Sequence, residues 1–297
     1  MMTMDVGNLR IALIGYGEVG GIFGAAVASK SQAVSAFDIR TTDAMRERAA
    51  KDRVRLATSA ADAVAGADLV ISAVTASATR DAATSAASSM RRGAFLLDVN
   101  SASPRTKADC GALVDAAGAR YVESAVMTSV PPYGVKVPML LGGPHAEALA
   151  PTLAALGFSA RVGAARLGVV SAIKMCRSVM IKGMEAIVIE SLLAARRYGV
   201  EDEVIASLGE TFPAIDWERQ ASYFWSRVVR HGKRRAEEMR ESAHTVREAG
   251  LAPLMASAIA QRQQWVADLA AAGTFDGVGN DAAWREHADR IARDDRA

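Results

Sequence analysis

At 297 residues the chain is long enough for two domains, and with 51% apolar and 23% charged residues it has an ordinary globular composition. That composition excludes a largely disordered protein. Thirty-five Lys and Arg against thirty-three Asp and Glu leave a net charge of +2, so we expect no nucleic-acid partner and no membrane-surface partner.

Cysteine and histidine usage gives no sign of a disulfide framework or a metal site. Cys110 and Cys176 lie far apart and outside any CxxC motif, and the four histidines lack metal-ligand spacing. No apolar run reaches the ~18 residues of a membrane span, and residues 1–10 lack the features of a signal peptide. We therefore expect no metal and a cytoplasmic protein.

From Leu9 to about Gly163, short apolar runs alternate with stretches of helical character, which is typical of a parallel α/β sheet. Most of the runs are continuously apolar, as strands buried on both faces should be. The predicted strands are Arg10–Ile14, Val34–Asp38, Val54–Ala57, Leu69–Val74, Phe95–Val99, Tyr121–Ala125, Met139–Leu141 and Phe158–Val162. The pattern predicts a Rossmann-type dinucleotide-binding domain over residues 1–165.

After Gly163 the strand patterns end, and the remainder is predicted to be helical. The predicted helices are Leu167–Tyr198, Glu201–Leu208, Trp217–Ala249 and Leu254–Ala271. Residues 166–297 are thus expected to form an all-α domain that binds the substrate or a second copy of the chain.

The first strand runs directly into a glycine motif, Gly15-Tyr16-Gly17-Glu18-Val19-Gly20, where a helix is predicted to begin. In a dinucleotide-binding loop the first glycine permits a tight turn, the second admits a pyrophosphate and the third lets helix and strand pack closely. All six residues are therefore candidate cofactor contacts. The alternative is that the glycines only tighten a turn.

Asp38 ends the second strand, twenty-one residues after Gly17, where a carboxylate would bind an adenosine ribose. It would repel a 2′-phosphate, which favours NAD, but Arg40 lies two residues further on and could bind that phosphate, so NADP stays possible. We also expect cofactor contacts from Ile39, from Val74 and Thr75 after the fourth strand, and from Asn100.

Five polar residues fall within an arc of about 80° on the first C-terminal helix. They are Ser171, Lys174, Ser178, Lys182 and Glu185. This stripe either faces solvent or lines a cleft, and the apolar character of the rest of the helix favours a cleft. Lys174 is the best candidate for a catalytic amine.

These residues together resemble the β-hydroxyacid dehydrogenase superfamily of 3-hydroxyisobutyrate and 6-phosphogluconate dehydrogenases, in a branch with a DUF1932-type C-terminal domain. The resemblance rests on the glycine motif, on residues 98–104, on Gly168 followed by Lys174, and on segments 174–178, 182–183 and 231–235. It implies an NAD(P)-dependent dehydrogenase with Lys174 as the catalytic lysine. It also implies substrate contacts from Asn100 and Ser101, and a homodimer formed through the helical domain.

Two departures from the family pattern leave the substrate open. Met127-Thr128-Ser129 stands where the family usually has Ser-Gly-Gly, and Ser178 replaces an asparagine. Thr128 and Ser129 can still hydrogen-bond a carboxylate or hydroxyl, beside an apolar wall at Met127. Alternatively, this loop has only a structural role, in packing between the strand and the turn, and does not bind the substrate.

Basic residues offer further contacts for an anionic substrate or the cofactor phosphates. Arg177 lies about 100° from the polar stripe, and Lys233-Arg234-Arg235 alternates with glutamates in the manner of an exposed helix face. By resemblance, Arg235 aligns with a cofactor-contacting lysine. We count Arg177, Ser178 and Lys182 as candidate substrate contacts.

The leading hypothesis is hydride transfer between nicotinamide and a small hydroxy acid or its carbonyl partner. We expect this substrate to be a carboxylate. An imine reductase is the nearest rival, although related imine reductases generally replace the lysine. A non-catalytic NAD(P)-binding protein is the third possibility. Aromatic residues Trp217, Tyr223, Phe224 and Trp225 would bury area in a dimer or belong to the core.

Overall fold

The structure is a computed structural model that describes residues 4–294. The chain divides into two compact units, one ending at Met175 and the other beginning at Cys176. This division falls within the helix Val169–Tyr198, which follows the predicted domain boundary at residue 165.

The first unit holds one eight-stranded sheet within the described residues, and each strand corresponds to a predicted one. The strands are β1 (Arg10–Ile14), β2 (Ala33–Phe37), β3 (Val54–Leu56), β4 (Leu69–Ser72), β5 (Phe95–Asp98), β6 (Arg120–Val126), β7 (Met139–Gly142) and β8 (Ala160–Ala164). Their order is β3-β2-β1-β4-β5-β6-β7-β8. β4 and β5 are buried along their whole length, as the apolar runs Leu69–Ile71 and Phe95–Leu97 predict.

The sheet is parallel, as predicted, except at one pair of strands. β7 runs antiparallel to β6, with Glu123 opposite Gly142, whereas the other neighbouring pairs are parallel. The connection between β6 and β7 contains only a short 3₁₀ turn, Gly134–Lys136. A parallel return usually runs through a crossover helix, and residues 127–138 form no α-helix, in keeping with the reversal of the chain here.

Six α-helices cover the sheet in the described part of this unit. They are α1 (Glu18–Ala28), α2 (Asp43–Lys51), α3 (Ala60–Val64), α4 (Thr79–Ala87), α5 (Pro104–Ala116) and α6 (Ala146–Leu156). Three of them match segments that the alanine content and length of the sequence predict as helices, Glu18–Ser29, Ser77–Met90 and Ser103–Ala117, which correspond to α1, α4 and α5. The other three were not predicted. α2 is strongly polar, α3 has only five residues, and α6 contains Pro151, whose missing N–H weakens a helix prediction.

Two apolar layers lie on the faces of the sheet. One includes Phe23 of α1 and Leu153 of α6, and the other includes Ala83 of α4 and Val114 of α5. Each side chain is almost fully buried. The central strands β4 and β5 are therefore covered on both sides, whereas the edge strands β3 and β8 keep exposed positions.

The second unit is helical, as predicted. Its helices are the continuation of α7 (Val169–Tyr198), then α8 (Glu201–Thr211), α9 (Trp217–Glu248), α10 (Leu254–Ala271) and α11 (Trp284–Asp294). α11 was not predicted, and it contributes the fully buried Trp284 to the core. Trp217, Phe224 and Trp225 are also core residues, whereas Tyr223 is 55% exposed. Most of the aromatic area considered for a dimer interface is therefore used for packing within the unit.

Gly232 explains how α9 can lie close to α10. A Cβ at this position would approach the backbone oxygen of Gln263 to 2.8 Å. A side chain here would force the two helices apart. No helix among residues 4–294 is long and apolar enough to cross a membrane.

Candidate functional site

The glycine motif forms a tight link between β1 and α1. Gly15 has φ +90°, and a Cβ there would lie 2.4 Å from the backbone oxygen of Ala73. A Cβ at Gly20 would lie 2.0 Å from the backbone oxygen of Gly15. Both positions therefore require glycine, one for its backbone conformation and both for close approach of neighbouring backbone.

Gly17 differs from these two glycines because open space lies where its side chain would be. It is the N-cap of α1, no side chain caps this helix, and no heavy atom lies within 4 Å of the position of an added Cβ. Glu18 is exposed and Val19 is half-buried. The N–H groups of the first turn and the positive end of the helix dipole thus meet an open space suited to phosphate groups.

Asp38 fixes the glycine motif from the end of β2. Its Oδ2 accepts a hydrogen bond of 2.8 Å from the Tyr16 N–H, and its Oδ1 accepts one of 3.0 Å from the Arg40 N–H. Since each carboxylate oxygen has two lone pairs, Asp38 keeps acceptor capacity for ribose hydroxyls. Ile39 and Arg40 beside it are exposed.

Arg48 of α2 also holds this loop, and the sequence predictions missed it together with its helix. Its Nη2 donates to the carbonyl of Tyr16 and, at 3.2 Å, to that of Gly17. The guanidinium lies over the Tyr16 ring at 4.7 Å from the centroid. Burial raises the pKa of Tyr16, whose ring is fully enclosed. Tyr16 therefore serves as a packing residue through its side chain, and only its backbone lies in the loop.

Asn100, after β5, joins the ends of two neighbouring strands. Its Oδ1 accepts from the Val74 N–H at 2.7 Å, and its Nδ2 donates to the Ser72 hydroxyl at 2.9 Å. The side chain is only 4% exposed. Asn100 thus positions the backbone around Val74. Thr75 is exposed and Ser101 is half-buried.

A buried charged network lies beneath Asn100, and the sequence predictions did not identify it. The Asp98 carboxylate accepts from the Asn100 N–H at 2.9 Å, pairs with Lys107 Nζ at 2.8 Å, and accepts from the Tyr121 hydroxyl at 2.5 Å. Asp98 and Lys107 are each 1% exposed. Burial, followed by the charge of Asp98, raises the pKa of Tyr121 well above its usual value. The network fixes the loop that carries Asn100.

The start of α7 is held by a buried carboxylate on β6. Glu123 Oε1 accepts from the N–H groups of Gly168 and Val170 at 2.8 and 3.3 Å, and its Oε2 accepts from the Ser171 hydroxyl. An anion at a helix N-terminus is stabilised by the helix dipole. Lys174, half-buried, lies one turn after Ser171. The helix segment that carries Lys174 is therefore fixed to the sheet.

The loop after β6 places its three candidate residues differently. Met127 packs against the small cluster of Ala125, Leu140 and Val170. Thr128 is exposed and Ser129 is half-buried. Met127 is thus part of the packing at the base of the loop, and Thr128 is the residue most open to solvent.

The polar stripe of α7 is more buried than its pattern suggested. Of its five residues, all except Lys174 are buried, so the alternative of a solvent-facing stripe was wrong for most of it. Lys182 Nζ pairs with Glu238 of α9 at 2.9 Å and donates to Ser178 at 3.3 Å. These two candidate substrate contacts are engaged inside the C-terminal unit.

Arg235 and Glu185 form a second buried pair between α9 and α7. The guanidinium donates through Nε at 3.1 Å and also through Nη2, and Gln263 of α10 adds a hydrogen bond of 3.1 Å to the same carboxylate. Arg235 is 5% exposed, so the expectation of an exposed basic face was wrong for this residue. Its guanidinium binds Glu185, and nothing in this geometry supports its predicted cofactor contact. Arg177, Lys233 and Arg234 are exposed.

Comparison with known proteins agrees with this architecture. Residues 10–157 match the NAD binding domain of 6-phosphogluconate dehydrogenase, and residues 195–266 match a domain of unknown function, DUF1932. A conserved hypothetical protein from Sinorhizobium meliloti 1021 is 37% identical, with 99% of this chain and 97% of that chain covered, at a TM-score of 0.75.

Two further structures are similar over most of the chain. A conserved protein of unknown function, described as structurally similar to 3-hydroxyacid dehydrogenases, is 30% identical and covers 88% of this chain and 97% of its own, with a TM-score of 0.68. The 3-hydroxyisobutyrate dehydrogenase of Mycobacterium tuberculosis, with L-serine, is 18% identical and covers 96% and 99%, with a TM-score of 0.66. At that identity the likeness shows the fold alone.

Proposed function

The chain belongs to the β-hydroxyacid dehydrogenase superfamily, in the branch with a DUF1932-type C-terminal domain, and we propose that it is an NAD(P)-dependent dehydrogenase of small hydroxy acids. The observation that carries this proposal is the open, uncapped start of α1 at Gly17, at the end of a buried parallel strand. This is the geometry that binds a dinucleotide pyrophosphate.

The residues of the first unit fit such a cofactor. Backbone N–H groups at Gly17, Glu18 and Val19 would hold the pyrophosphate, and the Asp38 carboxylate would accept hydrogen bonds from the ribose. Val74 and Thr75 follow β4 at the same edge of the sheet, where ligands of parallel sheets bind. When bound, the nicotinamide would supply the donor or acceptor of a hydride.

Lys174 is the residue to which we assign the proton. A hydride leaves a carbinol carbon only as the hydroxyl proton departs, so a general base must lie within about 3 Å of that oxygen. Lys174 is a titratable amine near the start of α7, on a helical turn that Glu123 and Ser171 fix. A fixed position favours proton transfer, because misplacement of a catalytic group slows the reaction.

The proposed substrate is a small carboxylate that carries a hydroxyl or carbonyl group. Thr128 and Ser129 supply hydroxyls that can hydrogen-bond it, and Ser101 lies on the loop that the buried Asp98 network fixes. Arg177 would provide a cation for a carboxylate. These assignments extend the family resemblance to the residues present in this chain.

The test is single-turnover hydride transfer in a folded Lys174→Ala variant, across a panel of hydroxy acids, aldehydes and cyclic imines. The rate with the best hydroxy acid should fall by about 10²–10⁴-fold, the usual contribution of a general acid or base, while cofactor affinity stays close to that of the unchanged protein. Lys174→Arg should be nearly as slow, because a guanidinium keeps its proton.

Lys51→Ala is the matched control. Lys51 is exposed at the end of α2, and its substitution removes one positive charge, as Lys174→Ala does. A Lys174→Ala rate near that of the control would remove Lys174 from the mechanism. Faster turnover of cyclic imines than of any hydroxy acid would favour the imine reductase alternative.

A further inference from the structure

The backbone of the glycine motif is held from two sides at Tyr16. Asp38, after β2, accepts a hydrogen bond of 2.8 Å from the Tyr16 N–H, and Arg48 of α2 donates to the Tyr16 carbonyl. The same Nη2 atom of Arg48 also donates to the Gly17 carbonyl at 3.2 Å. A carboxylate and a guanidinium therefore fix the two polar groups of one residue, through hydrogen bonds that charge strengthens.

The two carbonyls that Arg48 holds determine where the next N–H groups point. In a trans peptide unit the C=O of one residue and the N–H of the next point in opposite directions, and the described residues contain no cis peptide bond. The Tyr16 carbonyl thus sets the direction of the Gly17 N–H, and the Gly17 carbonyl sets that of the Glu18 N–H. Both N–H groups are turned away from Arg48, at the helix start where they have no intrahelical acceptor.

Gly21, one turn into α1, makes room for this guanidinium. A Cβ at this position would lie 2.6 Å from Cζ, 2.8 Å from Nε and 2.9 Å from Nη1 of Arg48, so any side chain here would force the guanidinium to shift. The guanidinium also lies over the ring of Tyr16, which is fully buried. The position of Arg48 therefore depends on two residues of the glycine segment itself, one by its ring and one by its missing side chain.

We propose that Arg48 is a positioning residue for the cofactor, which holds the Gly17 and Glu18 N–H groups in the direction that receives a pyrophosphate, and that Gly21 provides its seat. This inference rests on the proposed function, because it takes the open start of α1 as the dinucleotide site. Donors that already point at the phosphate lose little conformational freedom on binding, and this preorganisation raises affinity. Arg48 acts through the loop backbone and needs no contact with the cofactor.

Nucleotide titrations of the full chain test this role with the variant Arg48→Met, which keeps an unbranched apolar side chain near Tyr16 but donates to neither carbonyl. NADH and ADP, which both contain the pyrophosphate, should bind about tenfold more weakly, as expected for the loss of a charge-assisted hydrogen bond. Adenosine, which has no phosphate, should bind as it does to the unchanged protein. Arg46→Met is the matched control, because this exposed arginine of α2 pairs with Asp43 and should change binding less than about twofold. Equal weakening of adenosine, or of both variants, would contradict the proposal.

Gly21→Ala separates the position of the guanidinium from its charge, because it displaces Arg48 without removing it. Alanine favours a helix more than glycine does, so helix propensity alone would not weaken binding. Gly21→Ala should weaken NADH and ADP by a factor similar to that of Arg48→Met, and the double variant should bind no more weakly than Arg48→Met alone. Normal binding by Gly21→Ala, or multiplied effects in the double variant, would overturn the proposal.

Amide hydrogen exchange without nucleotide gives a second measurement. The N–H groups of Tyr16 and Gly21, which bond to Asp38 and to the Gly17 carbonyl, should exchange faster in Arg48→Met, because the loop loses one of its holds. Unchanged exchange at both would contradict the inference. Binding of ADP that depends on Arg48, without hydride transfer to any substrate, would refute the proposed function and leave this inference standing. NADH binding that is insensitive to Arg48→Met would do the reverse.

Discussion

Lys107 compensates the buried charge of Asp98 in the N-terminal unit, so Lys107→Met should destabilise this unit. The substitution keeps the length of the side chain but removes the amine that lies 2.8 Å from Asp98 Oδ1 and donates at 3.2 Å to the Asp98 carbonyl. Because both side chains are 1% exposed, water cannot replace the lost partner. The Asp98 charge would keep only the Tyr121 hydroxyl and the Asn100 N–H.

Breaking a buried ion pair from one side typically costs about 3–5 kcal/mol, because it leaves an uncompensated charge. For a domain of this size, each kcal/mol corresponds to roughly 2–4 °C in Tm, so Lys107→Met should lower Tm by roughly 6–20 °C. The double variant Asp98→Asn/Lys107→Met removes both charges, and an asparagine can still bond to Tyr121 and Asn100. We expect it to recover most of that loss.

Calorimetry resolves the two units, since a two-domain chain need not unfold in one transition. Lys51→Met makes the same chemical change at the exposed end of α2 and should shift Tm by only a few degrees at most. A Lys107→Met shift no larger than that of this control, or a double variant less stable than the single one, would refute the argument that charge compensation holds this loop.

Two further predictions concern the cofactor and the cysteines. In binding titrations the protein should bind NAD roughly tenfold more tightly than NADP, since the 2′-phosphate would be repelled by the Asp38 carboxylate. Asp38→Asn should reduce this preference. Tighter binding of NADP than of NAD would instead indicate that Arg40 binds the 2′-phosphate. At pH 8 a disulfide reagent should modify one thiol per native chain, the exposed Cys176, because burial raises the pKa of Cys110 to about 11. Two equivalents without unfolding would contradict this.

The fold was largely predictable because its signals are local. A strand buried on both faces is expected to be continuously apolar, and Ile11–Ile14 and Leu69–Ile71 are. Gly15 and Gly20 were likewise predictable, because the backbone geometry of the loop excludes a side chain at both positions. The direction of β7 was not predictable from periodicity alone, since its apolar sequence is compatible with either direction.

The candidate site was predictable only where a motif is continuous in sequence. Glu123 contacts Gly168 and Ser171 across forty-five and forty-eight residues, and no spacing rule connects them. Arg48 was missed because a strongly polar helix shows little amphipathic pattern. Helical spacing placed Lys174 and Lys182 on one stripe, but only the fold shows that Glu238 covers one of them.

The C-terminal residues that carry the family resemblance now have a physical role of their own. Lys182 pairs with Glu238, Arg235 pairs with Glu185, and Gly232 admits the backbone of α10. Each buried charge needs its partner, and the close approach of the two helices needs the missing side chain. A relative that keeps these segments would keep this packing whichever substrate it takes. Substrate selectivity in this branch should therefore be sought at exposed positions outside these segments, such as Thr128, rather than in the buried residues that hold the helices together.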